Sequence, residues 1–422
     1  MAGAGQDVRV GRGDDGTVRV GPVRGRSVAA GTGAGPDFTR AVLDVAGAVL
    51  SWPVLGEPGL PVAEIHDVGR AQQWLWAVYG ERVAAEVAAP TGEPVGAEPS
   101  GLARAAGRLG YAHWAARWWP ASFPDGIAVL RPGVLGLETA ALTHRCQQLF
   151  DDLGDQPDDC AAELIEEHEA ALDALVAWWR DPSQPTSLAA RLDAVLRLVD
   201  DAADCAGLDG AAARRLRSAL DAGRDRPAAA DPGSLFASLA PQDGYALAAG
   251  GAPGAGGRVI ARGAGVNDWR RCPPGYVDAA EHAVSWTVRA VGARRLVEVE
   301  VLAHGAAPAA GAALVAEVRV NGGGPLRVPL ARRDDVWAGG ADADLGPVAS
   351  ALAAPARVEV GVLLPGFDPG PGPDARDARD AVRALARHRL DRAARSVPDG
   401  DADDVSGPFL AETLCAATSE DY

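Results

Sequence analysis

The spacing of apolar residues changes once along this chain, and that change limits what the chain can fold into. From Pro36 to about Phe236 apolar residues recur at roughly the 3.6-residue period of a helix, in long Ala/Leu-rich segments; from Arg258 onward they alternate every second position. An Asp/Pro/Gly-rich passage, Asp221 to Gly257, separates the two patterns. A chain of 422 residues also exceeds the size at which a single core keeps growing. The expected fold is a multidomain α+β arrangement: a hairpin and linker over 1–35, an all-helical N-terminal domain over 36–236, a linker over 237–257, an antiparallel β-sandwich over 258–370, a C-terminal helix over 371–397 and an acidic flexible tail over 398–422.

The first residues read as two strands, VRVGRG and TVRVG, around an Asp14-Asp15-Gly16 turn. A lone hairpin is marginal, so it needs a sheet to join, and the only other strands expected are C-terminal. Helices are predicted over Asp37 to Trp52, Asp67 to Ala88, Gly101 to Trp119, Gly133 to Asp152, Asp158 to Trp179, Ser187 to Ala206 and Gly210 to Ala222. In the third, YAHWAARWW places Tyr111, Trp114 and Trp118 at i, i+3 and i+7, the spacing of a buried face, with an aromatic ligand pocket as the alternative. Beyond the linker, runs such as LVEVEVLA and LVAEVRV alternate as strands with one face on a core and one in solvent.

Lysine is absent, so all 40 cationic Lys and Arg positions are arginine, the usage of a GC-rich coding sequence. A chain without lysine cannot form a Schiff base or a Walker A loop, which removes pyridoxal-phosphate enzymes, class I aldolases and P-loop ATPases. A net charge of -17 argues against coating nucleic acid. No apolar run suits a membrane span or an export signal, so a cytoplasmic location is expected. Five widely spaced cysteines, never in C-x-x-C, indicate neither a disulfide frame nor a zinc ribbon.

Several partial motifs fail on their own chemistry. His168-Glu169 is followed by AALD and lacks the second histidine of H-E-x-x-H. Gly31, Gly33 and Gly35 are spaced G-x-G-x-G, which is not the dinucleotide fingerprint. Asp399, Asp401 and Asp403 begin like a calcium loop, but Asp404 and Leu410 stand where glycine and the bidentate glutamate belong. His144, Cys146, Cys160 and His168 do not share a helix side as zinc would require, and Glu163, Glu166, Glu167 and His168 lack a second E-x-x-H helix. No metal and no cofactor is expected.

The segment GVNDWRRCPPGYVDAAEHAVSWTV, Gly265 to Val288, is the densest in recognition chemistry. Its Pro273-Pro274 pair forbids helix and favours a loop that presents its neighbours. Trp269, Arg270, Arg271 and Tyr276 are residue types enriched at interface hot spots, so the first expectation is a non-enzymatic adaptor that binds a protein or peptide through this loop. The second is an enzyme of unrecognised type using Asp268, Glu281 and His282, with Cys272 as thiol, near the domain junction. Alternatively, Trp269 and Trp286 pin the loop while its charges pair internally.

Overall fold

The computed structural model describes residues 6–23, 37–56, 59–98, 100–150, 157–181, 186–223, 257–265, 267–304, 313–342, 357–367, 375–395 and 407–419. Most of the expected 237–257 linker, the Gly31 to Gly35 stretch and the Asp399 to Asp404 run lie outside them. The protein is a mixed α+β chain with antiparallel sheets, divided into two compact units. The first comprises Met1–Ala116, Leu130–Leu239 and Asp377–Tyr422, and the second Arg117–Val129 and Ala240–Arg376. Among the described residues no helix is long and apolar enough to cross a membrane.

The first unit is not all helical. Strands β1 (Gln6–Arg12), β2 (Val18–Pro22), β3 (Arg40–Val45), β4 (Ala48–Pro53), β5 (Val62–Ile65) and β6 (Pro94–Ala97) form one sheet in the order β3-β4-β5-β2-β1-β6. The β1–β2 hairpin forms around its Asp-Asp-Gly turn, where Thr17 N donates to Asp15 Oδ1 at 3.0 Å. Its sheet partners are β5 and β6 of its own unit, not C-terminal strands. The predicted helix Asp37 to Trp52 is instead the β3–β4 hairpin. Ala41, Leu43 and Val45 are buried while Val42 and Asp44 are exposed, and Gly47 turns the chain at φ 73°. A Cβ there would lie 2.4 Å from the Asp67 carbonyl oxygen, so only glycine fits this turn, and its positive φ is not a helical one.

Helix α1 (Val68–Tyr79) is capped by Asp67, which accepts from Arg70 N at 3.1 Å. Replacing Asp67 by alanine orphans that donor and is expected to lower stability by about 1 kcal/mol in thermal unfolding. Gly80, at φ 93°, breaks the expected long helix into α1 and α2 (Glu81–Ala88). Trp74 and Tyr79 on α1 are fully buried, donating to the Ala46 and Pro61 carbonyls at 2.9 and 3.1 Å. On α3 (Gly101–Trp118), Tyr111 and Trp114 are core residues with ring centroids 4.8 Å apart, and Trp114 Nε1 donates to Phe38 O at 2.6 Å. Trp118 is half-buried.

Among the described residues there follow α4 (Pro132–Arg145), α5 (Pro157–Glu167), α6 (Glu169–Trp179), α7 (Thr186–Cys205) and α8 (Ala211–Ala222). The helix predicted over Asp158 to Trp179 breaks at His168, whose ring packs on α4 so closely that no side chain fits at Gly136. His144 approaches Asp201 at 3.8 Å, Cys146 is buried and Cys160 is exposed. Helices α9 (Arg376–Arg395) and α10 (Leu410–Ser419) come last, the second inside the stretch expected to be a flexible tail. Its Leu410, Ala411 and Glu412 are fully buried.

The second unit carries β7 (Arg258–Ala264), β8 (Val284–Val291), β9 (Arg294–Leu302), β10 (Val315–Val320), β11 (Leu326–Pro329), β12 (Ala331–Arg333), β13 (Val336–Asp342) and β14 (Val358–Leu363). They form a five-stranded sheet, β12-β13-β9-β8-β7, and a three-stranded sheet, β11-β10-β14. Val284, Trp286, Val288, Val299, Val301 and Trp337 line the buried face of the first; Ala316, Val318, Val328 and Val362 line that of the second. At Gly265 a Cβ would lie 2.8 Å from the Val284 side chain of one sheet and 3.1 Å from the Val360 carbonyl oxygen of the other, so there is no space for a side chain. Residues 117–129, expected in the helical domain, belong to this unit and are closed by a Ser122–Ile127 bridge.

Candidate functional site

The loop between β7 and β8 is built inward. Asn267 is fully buried and ties the two ends of the loop together: its N donates to Glu281 O at 3.3 Å and its Nδ2 to Asp278 O at 2.5 Å. Asp268 accepts from Arg270 N at 3.3 Å, capping the 3-10 turn Trp269–Arg271, and closes a fork on the Arg270 guanidinium at 2.6 and 2.5 Å. Trp269 is buried, and Arg271 faces Glu317 at 3.8 Å while its carbonyl accepts from Leu364 N. Arg117 lies over the Trp118 and Phe367 rings, 3.8 and 4.3 Å from their centroids, and donates to Arg270 O at 3.4 Å.

The second half of the loop is bonded as fully. The Tyr276 carbonyl accepts from Trp337 Nε1 at 2.8 Å and from His304 N at 3.3 Å. Asp278, with no exposed surface, accepts from Phe123 N and Ala280 N at 2.8 Å each. Burial raises its carboxyl pKa above the usual 3.8, and those hydrogen bonds oppose the rise. Glu281 pairs with Arg376 at 3.1 Å, Cys272 is buried, and His282 is exposed.

The structure therefore gives the residues singled out in the sequence divergent surroundings. Of the four hot-spot types, Trp269 is core, Arg270 and Arg271 have internal carboxylates, and Tyr276 is half-buried with its carbonyl engaged. Of the four catalytic alternatives, Asp268 serves Arg270, Glu281 serves Arg376, Cys272 has 2% of its surface exposed and His282 faces solvent. The anchors that sequence reasoning missed are Asn267 and His304, buried polar residues that no local pattern marks.

A different surface lies open beside this loop. Strand β7 ends the five-stranded sheet and among the described residues pairs only with β8. Its register shifts between Val259 and Ala261, leaving Ile260 in a bulge, and Val259 and Ile260 are 45% and 38% exposed. Val259, Ile260, Ala261, Arg262, Thr287 and Arg289 line a shallow cleft of about 530 Å³. Arg289 pairs with Glu298 at 2.5 Å, whereas among the described residues neither Arg258 nor Arg262 has an acidic partner.

No protein-family model, curated protein or solved structure matches this chain. Among the described residues no three His, Cys, Asp or Glu side chains gather as a metal site.

Proposed function

We propose that this chain is a non-enzymatic binding protein that takes up an extended, acidic peptide as an added strand along β7. The observation that carries the reading is an edge strand whose outer backbone is unpaired among the described residues, with exposed Val259 and Ile260 and two arginines without described acidic partners, on a protein of net charge -17. Unpaired strand edges recruit extended chains through main-chain hydrogen bonds, and flanking pockets supply selectivity. The scaffold in this reading is a sandwich of the two sheets, with the Asp268 to His282 loop bracing it rather than touching the partner. The acidic surface as a whole argues against nucleic acid as the partner. A cytoplasmic location is part of the same reading, supported by five cysteines of which none is in a disulfide.

The test uses the full chain and a fluorescein-labelled peptide alternating valine with glutamate. Saturable anisotropy that weakens with salt is expected, and the double substitution Arg258→Glu, Arg262→Glu should weaken it about tenfold or more, since like-charge juxtaposition costs over 1.4 kcal/mol. A peptide of equal charge with proline at every second position lacks the strand donors and should not bind. Equal binding of the two peptides would sink strand addition.

A further inference from the structure

The segment Gly407–Ala416 is held in the first unit as a peptide ligand is held in a receptor. Phe409 stacks on Tyr111, centroids 5.8 Å apart and 22° between planes, with the Arg108 and Arg389 guanidinium groups 4.6 and 5.6 Å from its centroid. The two carbonyls before it are clamped: Gly407 O accepts from Arg108 and Arg389 at 3.2 and 3.0 Å, and Pro408 O from Arg108 at 3.1 Å. Glu138 of α4 accepts from Leu410 N and Ala411 N at 2.8 and 3.1 Å, giving the first turn of α10 the carboxylate that its dipole favours. Glu412 reaches back to Phe409 N at 2.5 Å, half of a capping box, and forks with Arg389 at 2.6 and 2.8 Å.

The contacts to Gly407, Pro408, Leu410 and Ala411 hold the backbone, while the aromatic slot and the guanidinium fork read the side chains of Phe409 and Glu412. The reading groups sit on α3, α4 and α9, remote in sequence from one another, and the segment follows α9 after residues 396–406. Identical contacts are available to the same segment arriving from another molecule, the situation from which exchanged dimers arise.

We infer that the groove between α3, α4 and α9 is a peptide-recognition site for a helix start bearing Pro-Phe-Leu-Ala-Glu, filled in cis by residues 407–419 and able to take the same segment from a second copy of the chain. This stands independently of the β7 reading, because no residue is shared.

The experiment uses full chains and a labelled synthetic peptide of residues 405–419 carrying Cys415→Ser. The unaltered chain excludes the peptide, because its own tethered segment competes at an effective concentration on the order of millimolar. A Phe409→Ala chain empties the slot and should bind the peptide about tenfold or more tightly than the unaltered chain; adding Arg389→Met should abolish that binding. A folded Phe409→Ala chain that ignores the peptide overturns the inference, as does equal binding by the unaltered chain. Where Phe409→Ala does not fold, native-state hydrogen exchange of the unaltered chain decides. Opening of Phe409–Cys415 before α4 supports a detachable ligand, and exchange of both only through global unfolding overturns it.

Discussion

Replacing Glu412 by alanine is expected to destabilise the protein by about 3–5 kcal/mol, the cost of stranding a buried charge. Arg389 is 6% exposed and Glu412 has no exposed surface, so the substitution leaves a guanidinium in the core without its fork and Phe409 N without its acceptor. Burial works against the charge on Arg389, but Glu412, Tyr111 and Glu138 together outweigh it and its pKa stands above the usual value. The cycle with Arg389→Met separates the pair from its surroundings: Glu412→Leu with Arg389→Met should recover much of the loss, because two apolar groups of similar volume need no compensation. Urea denaturation reads the unaltered chain, Glu412→Ala, Glu412→Leu, Arg389→Met and the Glu412→Leu, Arg389→Met double variant. A loss below about 1 kcal/mol for Glu412→Ala would mean that the pair is solvated in solution.

Acid should weaken the second unit through His304. This residue follows β9, is 3% exposed, donates its N–H to Tyr276 O and offers its carbonyl to Arg332 at 3.1 Å. Burial, and then the Arg332 charge, lower its pKa from the usual 6.5 to about 4. A histidine depressed in this way contributes stability that is present above 6.5 and lost as pH falls through about 4, because the unfolded chain takes up the proton first. The gap corresponds to about 3 kcal/mol. Asp278 has the opposite sign: its raised pKa makes its contribution greatest below 3.8 and lost as pH rises, so it offsets part of the histidine's effect. Stability from unfolding followed by tryptophan fluorescence at pH 7, 5.5 and 4 should fall steeply with acid for the unaltered chain and less steeply for His304→Gln. An unchanged slope in the variant would remove His304 from the account.

What could be read from the sequence follows the range of the interactions involved. The β1–β2 hairpin was legible because Asp14-Asp15-Gly16 is a local turn with its own chemistry, and α1 through α8 were legible as periodic segments apart from their internal breaks. Residues 37–52 were misread because Ala, Leu and Val satisfy both periods there; the deciding fact is the approach of Gly47 to Asp67, which belongs to the folded state. The residue types of the loop after β7 cannot say whether Arg270 meets a carboxylate two positions away or one on another protein. Glu138 and the helix start it caps lie far apart in sequence, so the acidic composition before Gly407 dominated the reading of that region and hid α10. The surviving local sign was Glu412 three residues after Phe409.

The order of segments in the first unit bears on how the protein is made. Its sheet and most of its helices are synthesised before residue 240, but Gly407–Ala416, which covers Tyr111 and neutralises Arg389, is translated only after the whole second unit. At roughly 5–20 residues per second that interval lasts on the order of ten seconds or longer. During it Arg108 and Tyr111 on α3 and Glu138 on α4 have been made but neither α9 nor the segment that closes over them has, so the nascent chain carries an aromatic and charged face whose covering elements arrive last.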